Sequence, residues 1–333
     1  MSRRRNRKSV GYSPRIIVIF LLSFCASGSA SEARPPQQTW HLPDAAVEAL
    51  HNLYSGNSAA ASSVALRLQT DFPNDPLGYV IEGEVRWWRV YCTSLEYHFN
   101  FLEIKRLPHV AKDDPDLALA SKAISLAEER LTEKESAPMH LYAGMGYALR
   151  ARLMDLHGDH GGTARAGVRA REHFLRAKEL DPLLADADFG LGLYNYYVDT
   201  LSGIARALRF FMGIPGGSKK DGVRQLEHAI ASGEMTAAEA RFYLAINLRT
   251  YDREYERAAS LLEPLVRDFP QNPVFTLMLA NMNSLLNRKE KAEGLFLSAG
   301  SMDIADSSCS ARVKEIAAAG KAKLREVHTD SPH

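Results

Sequence analysis

The chain is 333 residues long, 46% hydrophobic and 24% charged, with a formal net charge of +1. That much apolar material supplies a full core, and near-neutral charge with no dense Lys/Arg cluster beyond residue 30 gives nucleic acid little to bind. Cysteines number three and form no CxxC pair, so neither a zinc framework nor a thioredoxin-like motif is present.

Residues 1–30 read as a signal peptide. Arg3, Arg4, Arg5, Arg7, Lys8 and Arg15 form a basic head, Ile16 to Leu22 is an unbroken apolar run, and Ser27-Gly-Ser-Ala30 supplies the small residues of a cleavage site. The apolar run is shorter than the roughly 20 residues of a membrane span. A Sec-type signal and a periplasmic or secreted protein are therefore expected, with an uncleaved anchor as the alternative. The segment holds six basic residues and no acidic one, so its removal takes the net charge from +1 to −5.

Residues 31–41 are polar and contain Pro35 and Pro36, a linker pattern. A helical domain is expected over 42–327, with a flexible tail at 328–333. Its first helix hairpin spans about 42–73. The second carries Trp87, Trp88 and Tyr91, then a long 93–115 connection containing Tyr97, Phe99 and Phe101. Burial within an enlarged hairpin is favoured over an aromatic groove, because large rings mostly bury.

The third hairpin has Gly144-Met-Gly-Tyr147 on its first helix and the turn His157-Gly-Asp-His160 before its second. Two His and an Asp invite a metal, but no third ligand or supporting shell is placed with them. No metal and no cofactor is expected. On the second helix Ala170, Phe174 and Ala177 share one face at spacings of four and three, and Pro182 stops the helix. The next helix carries Leu191-Gly192, where two backbones can approach closely.

This triplet recurs. Copies fall at Ala61/Ala65/Leu68, Ala120/Ile124/Ala127 and Gly222/Leu226/Ala229, and Ala258/Leu262/Leu265 returns as Ala292/Phe296/Ala299 after 34 residues. The turns Asp71-Phe-Pro-Asn-Asp-Pro76 and Asp268-Phe-Pro-Gln-Asn-Pro273 also match. The pattern resembles the tetratricopeptide repeat, whose unit has that length. The resemblance implies an all-α solenoid of about six helix hairpins, closed by a C-terminal helix beginning near Ser307.

The fourth unit is longer than the others. Residues 201–214 contain Ile204, Leu208, Phe211 and Met212 at helical spacing, opposite Arg206 and Arg209, which predicts an inserted amphipathic helix. The Gly-rich stretch after it only superficially resembles a phosphate loop, since a Gly directly before Lys is missing. Ser218 is expected to cap the following helix. Residues 180–300, with Phe189-Gly-Leu-Gly-Leu-Tyr-Asn-Tyr-Tyr197 and Asp221-Gly-Val-Arg-Gln-Leu-Glu227, resemble the tetratricopeptide repeat 39 family and its inclusion-body-clearance relatives. That resemblance implies an interaction protein and supplies no catalytic motif.

In tetratricopeptide proteins the first helices line a concave groove. By that resemblance, Asn247 and Asn281, 34 residues apart, with Tyr196, Tyr197, Tyr243 and Tyr251, form the expected partner-binding surface. A carboxylate clamp is disfavoured because Tyr243 stands where it needs Lys. Cys92 and Cys309 fall at opposite ends of an extended stack, which predicts free thiols rather than a bridge. The expectation is an exported, non-catalytic scaffold for a protein or peptide segment. The alternatives are membrane docking through 201–214, or a metal-binding protein or enzyme using the 157–160 loop.

Overall fold

The computed structural model describes residues 40–98, 101–108, 114–211 and 213–329. The expected signal segment, most of the expected linker and the last four residues lie outside it. So do the side chains of Ile204, Leu208 and Phe211 and all of Met212, which leaves the expected apolar face of the insert outside the described residues.

Helices follow one another in antiparallel pairs. The first hairpin is α1 (Asp44–Tyr54) and α2 (Ser58–Asp71), the second α3 (Leu77–Ser94) and α4 (Pro115–Glu133). The third is α5 (Ala137–Leu156) and α6 (His160–Leu180). The fourth is α7 (Asp186–Thr200) and α9 (Lys219–Ser232), with the inserted α8 (Gly203–Phe211) between them. Then come α10 (Ala237–Asn247) with α11 (Tyr255–Asp268), and α12 (Pro273–Leu285) with α13 (Lys289–Ser301). The long α14 (Ser307–Thr329) lies on α12 and α13. Six hairpins, one insert and a closing helix make a tetratricopeptide-like α-solenoid.

Local chemistry sets the boundaries. Side-chain oxygens of Asn57, Asp114, Asp159, Ser218, Asn272 and Asp306 accept backbone N–H groups at the starts of α2, α4, α6, α9, α12 and α14. Ser218 does so 3.3 Å from the Asp221 nitrogen, as its position in the sequence predicts. Asp186 caps from a distance. Its carboxylate accepts the backbone N–H groups of Glu234, Met235 and Thr236 at the head of α10, and burial raises its pKa.

The recurring triplet is the inward face of each second helix. Its residues are buried in all six copies except half-buried Leu68. Glycines receive the bulk opposite. A Cβ on Gly144 of α5 would lie 2.6 Å from the Phe174 ring, and one on Gly190 of α7 would strike the other edge of that ring. Gly192 and Gly222 bring the α7 and α9 backbones together, with a Cβ on Gly222 only 2.7 Å from the Gly192 carbonyl oxygen.

Three features depart from the sequence reading. The 93–115 connection holds an antiparallel hairpin, β1 (Leu95–His98) with β2 (Phe101–Ile104), in register Leu95 to Ile104. The solenoid also does not stay open. α14 packs on α3 and β1, α12 reaches β2, and Tyr54 of α1 stacks near Phe269 and Phe275. Finally, Cys92 and Cys309 are disulfide-bonded, with Cα atoms 5.4 Å apart and 217 positions between them. The free-thiol expectation is corrected: superhelical rotation accumulated over six hairpins returns the C-terminal helix to the second hairpin, which a local period does not reveal.

Candidate functional site

The helix α3 determines what the inner surface can do. Thirteen of its residues are buried, among them Trp87, Trp88, Tyr91, Glu82 and Glu84, so most of its circumference is enclosed, with Arg89 left exposed. Trp88 packs edge-on against Phe242 and Phe275, at centroid distances of 5.0 and 5.4 Å. Its indole N–H donates to Glu239, and that of Trp87 to the Tyr243 hydroxyl. The chain's own second hairpin thus occupies the interior that a partner was expected to enter.

The expected groove residues divide accordingly. Asn281 is fully buried, and its Oδ1 accepts from the Leu102 N–H and from Arg249. Asn247 and Tyr243 are buried as well. These three are corrected from groove contacts to core residues, because α3 and the β-hairpin cover them. Tyr196 is buried too, with its hydroxyl donating to Asp252. Tyr197 and Tyr251 alone reach solvent, at 36% and 48% exposure.

Those two rings stand edge to face 6.2 Å apart, and each also contacts Tyr196. Tyr251 sits in a π-helical segment, Leu248–Asp252, that ends at Arg253 in left-handed conformation with φ 57°. Such segments are single-turn insertions that recur at functional positions. Lys219 of α9 pairs with Asp252 and lies 6.0 Å from the Tyr196 ring centre. Asp155 is close enough to act electrostatically on Tyr251. Leu201 lies one turn after Tyr197 and is equally exposed. The result is an aromatic mouth with an ion pair on its rim, suited to a flat or apolar side chain beside a polar backbone.

The interior also holds buried charges that no sequence pattern announced. Arg249 is 3% exposed and donates to the Leu102 carbonyl at 2.6 Å, and burial lowers its pKa. Arg152 joins Glu84 at 2.5 Å and Glu239 at 3.4 Å, with its guanidinium 5.0 Å from the Trp87 ring centre. Burial, and then the neighbouring Glu84 charge, pushes the Glu239 carboxyl up to about 8. The adjacent Trp87-Trp88 pair was the visible signal of this centre. The charges themselves sit at ordinary helical positions.

A second concavity of about 330 Å³ lies where the solenoid closes. Gly56, Asn57, Trp88, Gln271 and the disulfide line it, and Arg89 bridges it to Asp306 at 2.6 Å. The 157–160 loop forms no comparable site. His157 bonds the Pro108 carbonyl, while His160 faces Asp155 at 3.8 Å with both side chains largely exposed. Among the described residues no group of three or more His, Cys, Asp or Glu side chains that could hold a metal ion is found. None of the described helices is long and apolar enough to cross a membrane.

No family model matches the chain, and no curated protein matches it. Among solved structures it is similar to the crystal structure of yeast Tom70, at 13% identity over 84% of this chain and 82% of that chain, with a TM-score of 0.28. At that score the two backbones do not superpose as wholes, so neither partner nor role is carried across from it.

Proposed function

We propose that the protein is an exported, non-catalytic scaffold that holds a protein segment at the Tyr197–Tyr251 mouth rather than in its interior. The observation that carries this reading is the exposed edge-to-face tyrosine pair, the remnant of the expected groove that the second hairpin does not cover. Rigid aromatic area costs little side-chain entropy on binding, and an ion pair on its rim adds direction. The basic-then-apolar leader supports export, and a disulfide is at home in an oxidising compartment.

Capture from envelope extract, comparing wild type with the Tyr197→Ala/Tyr251→Ala double variant, tests it. A partner retained by wild type and bound about thirtyfold more weakly by the variant is expected, given the 2 kcal/mol or so carried by an aromatic anchor. An identical set of partners would remove this mouth from consideration.

One observation favours a second reading. Phe210 on α8 is 77% exposed, with Arg206 exposed on the same helix, a combination suited to the face of an anionic bilayer. Flotation with anionic vesicles that persists unchanged in Phe210→Asp would eliminate it.

A further inference from the structure

The tyrosines near the mouth differ in what stands over their rings. One turn before Tyr197 on α7, Tyr194 carries the Arg171 guanidinium 5.4 Å from its ring centre, and Tyr147 on α5 carries Arg150 and Arg169 at 5.4 and 5.7 Å. Lys219 lies over Tyr196, held there by its pairing with Asp252. Over exposed Tyr197 and Tyr251 no cation stands among the described residues.

The face of a tyrosine ring is electronegative, and it attracts a cation placed within about 6 Å of its centre. Tyr197 and Tyr251 are inclined at 70° with centres 6.2 Å apart, so one face of each bounds a common corner. Tyr196, buried behind them, contacts both and fixes their inclination. The nearest carboxylate that acts on the two rings has the same sense. Asp155, at the end of α5 and largely exposed, exerts its charge on both of them. Most positive groups on this side are already engaged. Lys219 pairs with Asp252, Arg257 with Glu254 and Glu227, and Arg249 is buried against the Leu102 carbonyl. Arg253, exposed just past the π-helical turn, is the charge that a cationic partner must outweigh.

We propose that the mouth takes an arginine side chain of the bound protein segment, its guanidinium in the Tyr197–Tyr251 corner and its charge toward Asp155. The inference rests on the mouth being the contact site, and adds what the partner must carry there. Arginine is favoured over lysine because a guanidinium is planar, stacks on aromatic faces and is more weakly hydrated than an ammonium. The chain's own contacts follow that preference, since Arg supplies four of its five ring-facing cations among the described residues.

The test titrates the full chain, disulfide intact and tyrosine rings ¹³C-labelled, with capped Gly-Ser-X-Ser-Gly peptides in which X is Arg, Lys, citrulline or Glu. Citrulline keeps the shape of arginine without its charge. The Arg peptide should shift the Tyr197 and Tyr251 ring resonances, assigned through Tyr197→Phe and Tyr251→Phe. Citrulline should bind at least about tenfold more weakly, the combined yield of two exposed ring contacts and one ion pair. Lys should fall between them, and Glu should leave both rings unmoved. Asp155→Asn should weaken the Arg peptide about threefold, the range of a partly exposed pair, and leave citrulline unchanged. The peptide series is read on wild type, so it stands whether or not a variant folds. Equal affinity for Arg and citrulline, or no ring shift at millimolar Arg peptide, overturns the inference. If either result accompanies a captured partner that Tyr197→Ala/Tyr251→Ala loses, the mouth stands as the contact site and the arginine alone is removed.

Discussion

The indole nitrogen of Trp87 lies 2.7 Å from the hydroxyl oxygen of Tyr243, a buried hydrogen bond across 156 positions of sequence. It joins the second hairpin to the fifth, and so fastens the occupant of the solenoid to its wall. Trp87→Phe removes the donor and shrinks the indole to a phenyl, and should cost about 2–3 kcal/mol, whereas Trp87→Ala should cost about 3–5 kcal/mol through the larger cavity it leaves. Urea unfolding of both variants and of Tyr243→Phe, arranged as a double-mutant cycle, reads the coupling directly. Additive losses would show that α3 does not depend on this contact.

The disulfide spans a loop of 217 positions. In the chain-entropy model such a loop contributes roughly 5 kcal/mol, at the upper end of measured bridges. Cys92→Ser/Cys309→Ser, or wild type under reductant, should therefore melt about 10 °C lower, at a few degrees per kcal/mol for a chain of this size. A melting temperature indifferent to reductant would mean that the closure is held by packing alone.

Glu239 sets a pH dependence. Its carboxyl rises from 4.5 to about 8 on folding, so across that window the folded state holds more proton than the unfolded state. Stability then falls as pH rises, by up to about 1.4 kcal/mol per pH unit, and levels off above the folded pKa. Between about pH 7 and 8, above the ordinary histidine range, this loss should show as a declining urea midpoint. Glu239→Gln, neutral throughout, should flatten it. A wild-type midpoint that rises over the same range would contradict the assignment.

Phe174 fills the space left by two missing Cβ atoms, on Gly144 and Gly190. Gly190→Ala should overpack this site and destabilise by about 1–3 kcal/mol despite the better helix propensity of Ala. Combining it with Phe174→Leu should recover part of that loss. The readout is thermal unfolding of the two singles and the double, and strict additivity would place the strain elsewhere.

Residues whose fate depends on their own helix were legible in the sequence. Ala170, Phe174 and Ala177 face inward because spacings of four and three put them on one face, and Pro182 ends that helix whatever surrounds it. Ser218, the insert α8 and the closing helix α14 follow from equally local rules. The groove was misjudged for a different reason. Asn247 and Asn281 occupy repeat positions that would face open space in a straight stack, yet Leu102 and Arg249 cover Asn281 from elements far away in sequence. Nothing near Cys309 announces Cys92.

The sequence alone settled that helices pair in antiparallel hairpins and which flank of each is buried, since a 3.6-residue period and a proline stop act within a few turns of chain. Whether that stack remains open was decided in three dimensions. A small rotation at each interface, summed over six hairpins, carried α14 onto α3, sealed two asparagines and left two tyrosines in water.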